Sequence, residues 1–99
     1  MANLRDLWRE VTLELQALRM VFPTSDEGVK ALRSFDEFLS ENELELALHV
    51  ACDSLLEPDS LPTSSEVISR LALLHSAMGI ADDCVLRLQR KRTNTAHGL

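Results

Sequence analysis

The side chains with the widest chemical range in this chain are scattered. His49 and Cys52 stand three residues apart, while His75 and Cys84 follow at wider spacing. On a helix, His49 and Cys52 would share a face. Zinc centres usually draw on two closely spaced ligand pairs, and only one pair qualifies here. The pattern therefore favours core thiols and incidental histidines, with no metal or other cofactor. Cys52 is a poor nucleophile candidate, because neighbouring acids raise a thiol's pKa. No glycine-rich phosphate loop, nucleophile elbow or HExxH motif occurs, so no catalytic residue is expected and the chain does not read as an enzyme. The acid pairs Asp36–Glu37 and Asp82–Asp83 are adjacent, which points their carboxylates in different directions on a helix. They read as solvated faces or partners of helix N-termini.

Acidic side chains are the stronger signal. No Lys or Arg occurs between Arg33 and Arg70, whereas Asp36, Glu37, Glu41, Glu43, Glu45, Asp53, Glu57, Asp59 and Glu66 fall in that interval. The net charge is -6. Such a field repels phosphate backbones and attracts basic proteins. Leu46 and Val50 lie among the acids, giving an apolar centre with a charged surround, as in protein interfaces. Basic residues Arg87, Arg90, Lys91 and Arg92 near the C-terminus loosely suggest a helix-turn-helix, but they are few and embedded in an acidic chain, so nucleic acid is not the expected partner. No stretch of about 20 apolar residues is present to span a membrane. The opening MANLRDLWRE lacks a secretory h-region, and the cysteines lack CxxC spacing, so a cytoplasmic protein with both thiols reduced is expected.

These residues require helices to position them. The 99 residues suffice for one domain, 1–99, with 93–99 expected to fray. Asn3 can cap a first helix whose stripe is Leu4, Leu7, Trp8, Val11, Leu15, Leu18 and Phe22, ended by Pro23. Ser25 or Thr24 can cap a second helix with Val29, Leu32, Phe35, Phe38 and Leu39 on its apolar face. Ser40 to Asn42 break the period and offer a new cap. A third helix then runs from about Asn42 to Glu57. Its stripe is Leu44, Leu48, Ala51 and Leu55, flanked by Ala47 and Cys52. A second row, Glu43, Leu46, Val50, Asp53 and Glu57, lies on the far side. Glu57 to Pro62 reads as a loop, and Thr63 to Glu66 as a capping box. Val67, Ile68, Leu71, Leu73, Leu74, Ala77 and Met78 fill a fourth helix, stopped by Gly79. Asp82 or Asp83 begins a shorter fifth helix with Val85, Leu86 and Leu88. The predicted fold is all-α, a single-domain bundle or array of four to five helices.

The pattern F-x-x-F-L-x-x-N-E-x-x-L-A-L, carried by Phe35, Phe38, Leu39, Asn42, Glu43, Leu46, Ala47 and Leu48 and followed by Cys52, Asp53 and Leu56, resembles small helical immunity proteins of bacterial polymorphic toxin systems. It is similar to MafI-like proteins and to immunity proteins of contact-dependent growth inhibition. The resemblance covers about 25 residues well; beyond them only length and helical layout agree. It implies a cytosolic, non-enzymatic protein that binds the C-terminal nuclease domain of a toxin one to one. Several toxins paired with similar proteins are RNases, among them the EndoU type.

The residues support that expectation independently. A nuclease presents a cationic cleft, and an acidic helical surface can cover it while complementary charge speeds encounter. Glu43, Leu46, Val50, Asp53 and Glu57 are expected to form one contact face, with Asp36, Glu37, Glu41, Glu45 and Asp59 as further acidic contacts. Two other readings stay open: a helical adaptor or homo-oligomer whose seam is the Leu46 face, and a helix-turn-helix regulator.

Overall fold

The structure is a computed structural model that describes residues 4–57 and 63–97. The Asn3 cap, Asp59, the greater part of the Glu57–Pro62 loop and the last two residues lie outside the described residues. The described residues form five α-helices and a short 3-10 turn: α1 (Leu4–Ala17), the 3-10 turn (Leu18–Val21), α2 (Asp26–Ser40), α3 (Leu44–Leu55), α4 (Ser65–Met78) and α5 (Cys84–His97). No strand occurs among the described residues. The expected all-α fold is what forms.

α3 is the central element. Its predicted stripe is buried in full, as are flanking Ala47 and Cys52. α2 folds onto α3 as a hairpin, the most extensive helix pair; α1 packs on α4 and α3, and α4 on α5. Val11, Leu15 and Leu18 close the core from α1 and the 3-10 turn, and Leu88 closes it from α5. Phe22 and Phe35 meet as a tilted ring pair with centroids 5.0 Å apart, fastening the α1–α2 connection to the core. The array measures 48 × 29 × 19 Å.

The ends of the helices show how local chemistry sets the path. Ser25 caps α2, its hydroxyl accepting from the Gly28 N–H at 3.1 Å. A Cβ built on Gly28 would stand 2.0 Å from the Pro23 carbonyl oxygen, so only glycine permits this tight entry into α2. Gly79 adopts φ 68° and ends α4 in a Schellman motif, with Ile80 N–H bonded to His75 O at 2.9 Å.

Several sequence expectations are corrected. Asn42 does not cap α3. It is left-handed, with φ 59°, and closes α2 in a second Schellman motif through the Glu43 N–H to Phe38 O bond of 2.8 Å. A short polar residue after an apolar run suits either role, and the reversal at Glu41–Glu43 selects the helix-ending one. The cap of α4 is Ser64, whose hydroxyl accepts from Val67 N–H, and not Thr63 in a box with Glu66. Thr63 is buried with no hydrogen-bond partner for its hydroxyl among the described residues, while Glu66 turns to Arg70 at 3.4 Å. Helix α5 is not short: it runs from Cys84 to His97, into the segment where the sequence suggests a frayed tail. Leu7, Trp8, Val29 and Leu73, assigned to buried stripes, are exposed, Leu73 to 71%. A stripe predicts which side of a helix is apolar; how much of it is covered depends on the neighbouring helix.

Candidate functional site

On α3, the 3-4 spacing places Leu46, Val50 and Asp53 along the face opposite the core stripe. Glu43 sits just before the helix as its cap residue, and Glu57 lies beyond its end. Glu43, Asp53 and Glu57 are exposed, Leu46 is 44% exposed, and Val50 is half-buried against the core. Leu46 is thus a surface apolar residue among carboxylates. Val50 is shared between surface and interior.

The remaining predicted acids divide. Glu37 and Glu41 are exposed at the end of α2. Asp36 is already engaged: Arg19 grips it with two contacts, Nε to Oδ1 at 2.8 Å and Nη2 to Oδ2 at 3.0 Å. Both side chains are about half exposed, so this fork contributes at most about 1 kcal/mol. Its larger effect is to neutralise one acid assigned to the contact face. Glu45 lies off the Leu46 row, 3.7 Å from His49 Nε2. The position of Asp59 lies outside the described residues.

Cations absent from the sequence interval return through the fold. Besides Arg19, Lys91 of α5 donates from Nζ to the carbonyl oxygens of Leu55 at 3.1 Å and Glu57 at 2.6 Å. These bonds satisfy acceptors at the C-terminus of α3, where a cation also suits the helix dipole. Neither pairing has a local sequence signal, because both partners come from distant helices.

Trp8 was assigned to the core, yet it is 43% exposed. It lines a shallow cleft of about 560 Å³ with Asn42, Glu43, Leu44, Glu45 and Met78. An indole beside two carboxylates extends the α3 surface toward α1. The aromatic anchor of an interface has this character, large and partly apolar with a polar edge. Its 3-4 register with Leu4, Val11 and Leu15 concealed it in the sequence.

A second constellation is buried. Cys52 in α3 and Cys84 at the start of α5 form a disulfide, their Cα atoms 6.1 Å apart. The expectation of two separate reduced thiols is therefore corrected. The absence of CxxC spacing carried no information, since the α4–α5 turn returns the chain to α3. His75, 7% exposed, lies beside the pair: its imidazole nitrogen and the two sulfurs are all within 4.8 Å of one another. His75 Nδ1 is 2.7 Å from Leu71 O, and Nε2 is 2.9 Å from Asp82 Oδ1. Asp82 Oδ1 accepts from the Cys84 N–H at 3.0 Å, and Oδ2 is 3.7 Å from His49 Nδ1. The sequence offered His49, Cys52, His75 and Cys84 only as a loose set; Asp82 completes the group. No protein-family model, curated protein or solved structure matches this chain.

Proposed function

We propose that this chain is an immunity protein that neutralises a cationic nuclease toxin domain by covering its active-site cleft with the acidic surface of α3. The observation that carries this reading is the partly exposed Leu46 on one outward row of α3 with the exposed acids Glu43 and Asp53, and exposed Glu57 beyond its end. In the bound state the carboxylates replace substrate phosphates as partners for toxin Lys, Arg and His. Leu46, with Trp8 at the flank, supplies the dry centre that converts charge steering into slow dissociation. The expected complex is a one-to-one heterodimer, without nucleic acid or cofactor, formed in the cytoplasm where the toxin arrives. No helix among the described residues is long and apolar enough to cross a membrane.

The test is protection. The chain is co-expressed with the nuclease domain of an effector encoded beside its gene, and growth and substrate RNA are followed. Survival with intact RNA, together with a stoichiometric complex of the purified proteins, is expected. Cell death despite abundant folded protein would overturn the proposal.

A second reading has one observation in its favour. Leu73 of α4 and Leu13 of α1 are 71% and 57% exposed on helices that pack together. Such a surface suits self-association in an adaptor, and light scattering of the purified chain distinguishes a dimer from a monomer.

A further inference from the structure

Cys52, His75 and Cys84 converge where the last turns of α3 and α4 meet the start of α5, with Asp82 against His75 and the Cys84 N–H. The side chain of His75 is 9% exposed. Its Nδ1 faces the Leu71 carbonyl oxygen, which can only accept, so Nδ1 donates there and Nε2 is the nitrogen left to meet a ligand. Asp82 Oδ1 stands 2.9 Å from Nε2 as an ion-pair contact, but no aligned hydrogen bond reaches this buried nitrogen. Nε2 is therefore a buried nitrogen with a carboxylate oxygen in contact but no aligned hydrogen bond, open to a better-placed partner.

We propose that, when the disulfide is reduced, Cys52, Cys84, His75 Nε2 and a carboxylate oxygen of Asp82 bind a divalent metal ion of the zinc class. Metal and disulfide are then alternative fastenings of the same three-helix junction. Two thiolates, one imidazole and one carboxylate form a donor set that suits tetrahedral zinc. The bond from Nδ1–H to a backbone carbonyl is the outer support that fixes a ligating histidine in the tautomer it needs. Adjacent ligand atoms around such an ion are roughly 3.3–3.8 Å apart, so sulfur–nitrogen separations of at most 4.8 Å need to close by up to about 1.5 Å. Asp82 Oδ1 and His75 Nε2 need to open by only a few tenths.

The chemistry balances without an unnamed reactant. A phosphine reductant breaks the S–S bond and takes up one oxygen atom from water as phosphine oxide. The two hydrogens of that water end on the sulfurs as two thiols. Metal binding then displaces both thiol protons to solvent. Returning to the disulfide releases the ion and two electrons to an oxidant of the disulfide class. This cycle concerns the buried junction and does not depend on the toxin-binding surface.

Cobalt(II) is the probe. The chain is reduced with phosphine, desalted without oxygen and titrated with cobalt, then with zinc. Thiolate-to-cobalt charge-transfer bands, intense visible bands of tetrahedral cobalt, one ion per chain and displacement by zinc are expected. The oxidised chain should show none of these. Cys84→Ser should lose much of the charge-transfer intensity. His75→Ala and Asp82→Asn should each weaken zinc by at least about tenfold, with Asp82→Asn, at a part-exposed side chain, retaining the wild-type circular dichroism. If the reduced chain loses helicity without metal, zinc should restore it. A reduced, folded wild type without charge-transfer bands, bands indifferent to His75→Ala, or an unfolded reduced chain that zinc does not refold would each overturn the site.

Discussion

Leu46→Asp separates folding from binding at the centre of the α3 surface. Leu46 is 44% exposed, so only a little over half of the side chain leaves water on folding. Full burial of a leucine contributes about 1.5–3 kcal/mol, and the lost share here is about 1–1.5 kcal/mol. Position 46 lies in the first turn of α3. A carboxylate there gains about 0.3–1 kcal/mol from the helix N-terminus. The net cost is at most about 1 kcal/mol, within the margin of a domain whose stability is of order 5–10 kcal/mol. Leu48, two residues on, is 0% exposed. Leu48→Asp removes about 3 kcal/mol of burial and strands a carboxylate in the core, which together exceed the margin. Urea titration followed by circular dichroism should therefore show a small midpoint shift with unchanged slope for Leu46→Asp, and no folded baseline for Leu48→Asp. Against the toxin domain, Leu46→Asp should weaken binding by at least about 2 kcal/mol, roughly thirtyfold, as expected of a residue in the dry centre. Equal unfolding by both variants would refute the exposed placement of Leu46. A folded Leu46→Asp that still protects cells at wild-type dose would refute the contact face.

Four further outcomes are expected. Reversing Glu43 and Asp53 to Lys should slow toxin association and flatten its salt dependence in stopped-flow measurements, since both acids are exposed and act chiefly by steering. Gly28→Ala should lower the unfolding free energy from urea titration by about 1–3 kcal/mol, although helix propensity alone favours Ala by about 1 kcal/mol, because the new methyl meets the Pro23 carbonyl. Asn42→Gly should leave stability unchanged or raise it, whereas Asn42→Ala should lower it by about 1 kcal/mol, as the left-handed φ requires; thermal melts of the pair give the sign. Reducing the disulfide in metal-free buffer should cost about 3–4 kcal/mol in chemical denaturation, from the loop entropy of a 32-residue separation.

Much of the fold was legible in the order of residues. The buried stripe Leu44, Leu48, Ala51 and Leu55, the Ser25 cap and the Gly79 stop all follow from interactions within one or two helical turns, and those depend on local sequence alone. The outward row on α3 was legible for the same reason, because once the core stripe is assigned, the opposite face is determined by the 3.6-residue period. What the periodicity could not supply was the identity of neighbours across the array. Arg19 reaching Asp36, Lys91 reaching the end of α3, and the meeting of Cys52, His75, Asp82 and Cys84 all join residues held together only by helix packing. The exposure of Trp8 and Leu73 belongs to the same class, since a helix carries its apolar stripe whether or not another helix covers it. Local hydrogen bonding and burial preference wrote the helices and their faces into the chain; the charge balance of the surface and the buried disulfide–imidazole group exist only because distant segments occupy the same few ångströms.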